Sequence, residues 1–239
     1  MSGIMCYSYL KKSVHFVIME ETVMCNKYPG KDVAENEIRI AGQVNPGPWT
    51  SHSLNAGLAA MYIADKCEGL NPEKAYILGV LHDIGRRVGI VSQRHIIEGY
   101  KYCMLNQWDD AARVCITHAF LLQNIESDVG EWDITDDDYA FLKNYIETST
   151  YNDYDRLIQL CDALAMPNGF SLLEKRIIDV HRRYGVNEYS VEIWNTFFQI
   201  KEYFEKWMGC SIYDVLPNVK ETTFMDIPLW KPPIVKHNE

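Results

Sequence analysis

The 239-residue sequence predicts an all-α fold. Three observations carry that expectation. Apolar residues recur at helical spacing from residue 51 onward, capping residues and glycines mark helix starts and stops, and alternating strand patterns are nearly absent. Taken in order, residues 1–47 read as an irregular N-terminal extension: 1–35 lack clear periodicity, and Asn45-Pro46-Gly47-Pro48 breaks the chain before the first helix. Residues 51–67 place Leu54, Leu58, Met61 and Ile63 on one helical face. Asn71 caps a helix expected over 73–84, with Pro72 at its first position and Glu73 as an early acid. Residues 93–108 and 109–122 follow as a linked helix pair, then a polar, acidic loop over 124–134. Thr135 is a cap whose first turn holds Asp136, Asp137 and Asp138, where the helix dipole favours acids, so this run reads as the start of a helix over 138–147 and not as a metal cluster. Further helices are expected at 153–166, 171–184 and 190–208, stopped by Gly169, Gly185 and Gly209. From Pro217 the chain, with Pro228, Pro232 and Pro233, reads as an extended tail wrapping the surface. The expected organisation is an extension (1–47), a metal-binding helical domain (48–210) and a C-terminal tail packing on it (211–239).

The net charge of −10 excludes a protein that coats long nucleic acid. Its distribution is uneven: residues 1–120 sum to zero, while 121–155 hold ten acids against one Lys. Residues 74–113 carry six basic residues against four acids, so a small anionic substrate stays compatible with that region. Seven cysteines without a C-x-x-C pair, several among apolar neighbours, point to reduced thiols and a cytoplasmic setting. The apolar stretch 14–19 is too short for a secretory or membrane-spanning segment, and no membrane partner is expected; Met19 is an expected alternative start, which would leave 1–18 outside the fold.

One His-Asp pair, His82-Asp83, closes the apolar run Leu78-Gly79-Val80-Leu81. Two strong metal-ligand types at a buried helix end need compensation, and a metal ion supplies it. Other candidate ligands occur along the chain: His52 thirty residues earlier, His95 twelve after Asp83, His118 at the end of Val114-Cys115-Ile116-Thr117, and Asp162 within the buried-looking run Leu157–Leu164. His15, His181 and His237 have no such setting, and His181, beside Arg182 and Arg183, reads as a surface residue.

The order His…His-Asp…His…His…Asp, with its HDIG segment and LxxLCDALA run, resembles the HD-domain superfamily of metal-dependent phosphohydrolases over roughly residues 48–185. The resemblance implies a helical bundle in which His52, His82, Asp83 and Asp162 hold one divalent ion, His95 and His118 hold a second, and Asp83 bridges. Two ions, iron foremost with manganese or another divalent metal as alternatives, would share a hydroxide that attacks a phosphate ester or anhydride of a nucleotide or other small phosphorylated metabolite. His82 and Asp83 would then be central to catalysis, together with Arg86, which stands where many hydrolytic members carry Lys after HDIG. Arg86, Arg94, Lys175 and Arg176, with Arg87, are candidate phosphate contacts, the arginines because their forks grip oxyanions in bidentate fashion; Arg86 also reads as a salt bridge at a helix end, and Lys175-Arg176 as a solvated face or an interhelical ion pair.

Two other readings use the same residues. Myo-inositol oxygenase and organophosphonate oxygenases share the six-ligand order around a di-iron centre, and Arg86 at the hydrolytic Lys position favours hydrolysis over this alternative. A non-enzymatic sensor has no chemical need for all six ligands. The aromatic residues Trp194, Phe197, Phe198, Tyr203, Phe204 and Trp207 fall at helical spacing and read as core or as a homodimer face, not as a base-stacking platform.

Overall fold

The structure, a computed structural model, describes residues 27–224. His15, His237, the alternative start at Met19 and the prolines at 228, 232 and 233 lie outside the described residues. Among the described residues the fold is all-α, apart from one hairpin of two two-residue strands. Its centre is the pair α2 (Trp49–Ala64) and α3 (Pro72–Leu81). α2 turns Ala56, Ala59, Ala60 and Ala64 inward, and such small side chains allow a close approach. A Cβ on Gly79 would lie 2.7 Å from the Gly57 Cα, so the two helices meet main chain to main chain. α3 is buried on every side from Ala75 to Leu81. Asn71 caps it by accepting from the Lys74 N–H at 3.0 Å, with Pro72 at the first position as the sequence predicts.

α3 ends three residues before the expected Ile84. Ile84–Val88 tighten into a 3-10 turn, and His82 and Asp83 sit at the junction. A Cβ on Gly85 would stand 1.9 Å from the His95 carbonyl oxygen, so this turn presses directly on α4 (Arg94–Leu105). α5 (Asp109–Thr117) follows and α6 (Asp136–Thr148) starts at Thr135, whose side chain accepts from the Asp138 N–H at 3.2 Å. Ile96, Ile97, Ile116, Phe120, Ile125, Leu142 and Ile146 form a second apolar cluster beneath these three helices. α7 (Asp153–Leu164), α8 (Leu173–Tyr184) and α9 (Ser190–Met208) close the bundle. Trp194, Phe197, Phe198 and Trp207 pack on the main core, Phe204 is buried in it, and Tyr203 is exposed. Gly209 ends α9 in the left-handed conformation (φ 73°), donating its N–H to the Glu205 carbonyl.

Three segments differ from expectation. Residues 31–44 of the extension are not irregular: α1 (Lys31–Val44) buries Ala34, Ile38 and Ala41 and packs on α3. Its apolar stripe is only three small or branched residues wide among charged neighbours, and Tyr76 and Arg87 hold it from inside by bonding Glu35 and Glu37 at 2.7 and 3.2 Å. The helix expected to 166 stops at Leu164, and β1 (Ala165–Met166) pairs antiparallel with β2 (Gly169–Phe170). Gly169 (φ 137°) therefore serves a hairpin turn after Pro167, not a helix stop. The tail is not extended over its described part. α10 (Ile212–Val215) and α11 (Val219–Phe224) form there, and α11 buries Val219 and Thr223. Among the described residues no helix is long and apolar enough to cross a membrane.

Candidate metal centre

His52 stands in the first turn of α2, His82 and Asp83 at the end of α3, His95 in the first turn of α4, His118 just after α5, and Asp162 in the last turns of α7. The fold brings all six together. Each imidazole directs Nδ1 at a main-chain carbonyl: His52 at Ala165 (3.2 Å), His82 at Gly79 (2.7 Å), His95 at Ser92 (2.5 Å) and His118 at Val114 (2.9 Å). A carbonyl oxygen only accepts, so each Nδ1 carries a hydrogen, and in the neutral ring Nε2 then presents a lone pair. This is how metal-ligating histidines are held by their surroundings.

The Nε2 atoms face the two carboxylates. Asp162 Oδ1 lies 2.8 Å from His52 Nε2 and 3.6 Å from His82 Nε2. Asp83 Oδ1 lies 3.2 Å from His95 Nε2 and 3.7 Å from His118 Nε2. Two triads have ligand atoms all within 4.8 Å of one another, His52–His82–Asp162 and His82–Asp83–His118. His82 Nε2 and Asp83 Oδ1 are buried without a hydrogen-bond partner. Such orphaned atoms are expensive in a closed core, and a cation between them removes the penalty. The donor set of imidazoles and carboxylates fits a divalent first-row metal.

The electrostatics agree with that fit. Burial opposes charge on Asp83 and Asp162, yet Arg86 for the first and His52 and His82 for the second hold both carboxyls well below their usual range. Burial, then Arg86, push His95 down to about 3, and burial with the His82 charge lowers His118, so both stay neutral as ligands must. His82 differs: burial works against a charge on it too, but Asp83 and Asp162 outweigh burial and lift its pKa to about 8, so an ion binding at its Nε2 would displace a proton.

Several supports have no sequence signature. The β1 strand supplies the carbonyl that orients His52, and Asn55 Nδ2 fixes that strand by donating to the Met166 carbonyl at 2.6 Å. Asp155, fully buried, accepts from Arg113, from Thr117 Oγ1 (2.7 Å) and from the Asn152 N–H, while Gln159 Nε2 donates to the Thr117 carbonyl at 2.7 Å. These bonds tie the end of α5, and so His118, to the helix that carries Asp162. Asp133 of the acidic loop accepts the N–H groups of Ser92 and Arg94 at 3.0 and 2.7 Å, anchoring the start of α4 beside His95.

The expected phosphate contacts separate. Arg86 Nε donates to Asp83 Oδ2 at 2.6 Å, and the side chain is 31% exposed at the edge of the centre. Arg94 pairs with Glu98 on the surface at 3.0 Å. Lys175 donates to the Thr223 carbonyl on α11 and is not drawn to the centre. Arg176 has Asp162 as its strongest attracting charge. His181 is no ligand, but it is half-buried and not a surface residue: its Nδ1 faces the Ile177 carbonyl, and Trp194 Nε1 donates to its Nε2 at 3.2 Å.

Residues 49–166 match the family model of the HD domain. Comparison with curated proteins and with solved structures gives no match. The matched span begins at the helix carrying His52 and ends just after Asp162, so it encloses the whole cluster. Residues 49–166 of this chain are thus an HD domain, and proteins of the HD family are generally metal-dependent phosphohydrolases.

Proposed function

We propose that this protein is a metal-dependent phosphohydrolase acting on a small phosphorylated metabolite, with a nucleotide as the leading class, through a centre of two divalent ions. The observation that carries the reading is the convergence of four Nε2 lone pairs on two carboxylates, with His82 Nε2 and Asp83 Oδ1 buried and unpartnered. His52, His82, Asp83 and Asp162 would hold one ion, and His95, His118 and Asp83 the other. Iron is the leading candidate, with manganese or another divalent ion as alternatives. When bound, such a pair supplies Lewis acidity: it lowers the pKa of a water and stabilises negative charge on phosphate oxygens.

The chain's own residues do the rest. The four Nδ1 bonds fix the tautomers and keep Nε2 directed inward. Arg86 restrains Asp83 through Oδ2 and leaves Oδ1 turned toward His95 and His118. The partly exposed guanidinium has N–H groups to offer a phosphate that enters past Asp162, whose side chain is also 31% exposed. No Ser, Cys or Lys nucleophile is required.

Metal analysis of the purified protein, followed by a phosphate-release screen over nucleotides with and without oxygen, tests this. Two equivalents of metal and anaerobic phosphate release are expected. Substrate-dependent oxygen consumption with a mixed-valent iron signal, and no phosphate, would replace this function with an oxygenase.

A further inference from the structure

The basic side chains around the centre differ in how much of their hydrogen-bonding capacity is already used. Arg86 is committed to Asp83 through Nε, Arg87 to Glu37 with its guanidinium 3.8 Å from the Tyr102 ring, Arg94 to Glu98, and Lys175 to the Thr223 carbonyl. Arg176 on α8 is different. Its Nε is buried and has no hydrogen-bond partner, and Nη1 reaches Asp179 only at 3.7 Å. Asp179 itself lies closer to Arg183, at 3.2 Å. Burying an arginine without satisfying its fork is unfavourable, and here burial lowers its pKa.

α8 packs on α7, the helix that carries Asp162; that carboxylate is the strongest attracting charge on Arg176, and no ion pair joins the two. Arg176 is thus set back from the carboxylate, with an unused planar donor fork. α8 lies beyond the residues that match the HD family.

We propose that Arg176 is the receptor for a second phosphate group of the substrate, one bonded to the phosphate under attack, so that the preferred substrates are phosphoanhydrides. The proposal rests on the hydrolase reading above. A phosphate attacked at the centre must lie against Asp83 and Asp162. Its neighbour through a bridging oxygen lies one step further out, where a set-back arginine meets it. Charge points the same way. Asp83 and Asp162 balance Arg86 and Arg176, leaving the charge of the bound ions to the substrate, and two divalent ions match more negative charge than the about −2 of a single phosphate group.

The test is calorimetric titration of inorganic pyrophosphate and of orthophosphate into the manganese-loaded protein, freed of excess metal, for wild type, Arg176→Met and Arg176→Lys. Wild type is expected to favour pyrophosphate, and Arg176→Met to lose about tenfold in pyrophosphate affinity with orthophosphate affinity unchanged. Arg176→Lys should recover only part, because the charge returns without the fork. The melting temperature of Arg176→Met should hold or rise, since the substitution removes an unsatisfied buried donor; a fall would mark Arg176 as structural and overturn the proposal. Equal binding of the two anions by wild type, or an unchanged preference in Arg176→Met, would overturn it while leaving the hydrolase reading intact. If wild type loads manganese yet binds neither anion, both fall together.

Discussion

His82 and Asp83 each contribute a buried atom that no protein group satisfies. Replacing either with alanine should therefore leave the fold intact while lowering turnover by about a thousandfold, equivalent to about 4 kcal/mol of transition-state stabilisation. Circular dichroism with metal analysis and a rate measurement checks this, and a variant lacking both residues that kept full turnover would end the account. At this scale the sequence was most informative. His52, His82, Asp83, His95, His118 and Asp162 are recognisable because metal binding demands particular side-chain types, and those types appear in the letters themselves. What orients them is not. The carbonyls of Ala165, Gly79, Ser92 and Val114 are main-chain atoms that every residue carries, so only the folded geometry reveals their role. Lys175 and Arg176 are likewise equivalent in sequence, and one residue's rotation about α8 sends the first to α11 and leaves the second facing the charge of Asp162.

Among the elements, the β1–β2 hairpin has the most direct bearing on the centre. Asn55→Ala removes its anchor at Met166 and should cost about 1 kcal/mol of stability and about tenfold in metal affinity, read by melting and by competitive chelation. Undiminished metal affinity would show that the hairpin does not govern His52. A second expectation concerns the joint between α9 and α10. Glu205 accepts from Lys201 (2.8 Å), Ser211 Oγ (3.0 Å) and the Ile212 N–H (2.9 Å); burial works against its charge, but these bonds win and hold its pKa below the ordinary 4.5. A depressed carboxyl stabilises the fold above its unfolded pKa, and that contribution is lost as pH falls through the folded value. Glu205→Gln should therefore be less stable by about 1 kcal/mol at pH 7, with the difference from wild type shrinking below pH 4.5 in thermal melts. Long helices with caps, such as those starting at Asn71 and Thr135, were readable because the cap, the proline and the apolar spacing agree. α1 and α11 were not. Each buries only two or three residues, and their order comes from partners distant in sequence, such as Tyr76 for α1 and Phe170 for α11.

For the whole molecule, the uneven charge takes on a structural meaning. The acidic stretch is distant from His82-Asp83 in sequence, yet Asp133 within it accepts the N–H of Arg94, the first residue of the helix that carries His95, and that of Ser92 just before it. Part of the −10 thus orders a ligand helix as well as decorating the surface. Metal binding should stabilise the entire fold, because the ligands come from five helices or helix ends. At a free metal concentration about a hundred times Kd the gain is about 2.7 kcal/mol, so chelation should lower the melting temperature by about 5–10 °C; no change on chelation would argue against a resident ion. The glycine contacts bear on which ion that is. Gly79 touches Gly57, and Gly85 touches the main chain at His95 and Gly99, so backbone contacts leave no slack for the ligand-bearing segments to move apart. Gly85→Ala should accordingly destabilise by about 3 kcal/mol or more, seen as insolubility or a large drop in melting temperature. A mouth whose span is set by backbone spacers cannot widen to suit its guest. Calcium, which needs long bonds to many oxygens, should then be refused on size as well as on donor chemistry, and a titration in which calcium bound as tightly as manganese would contradict this.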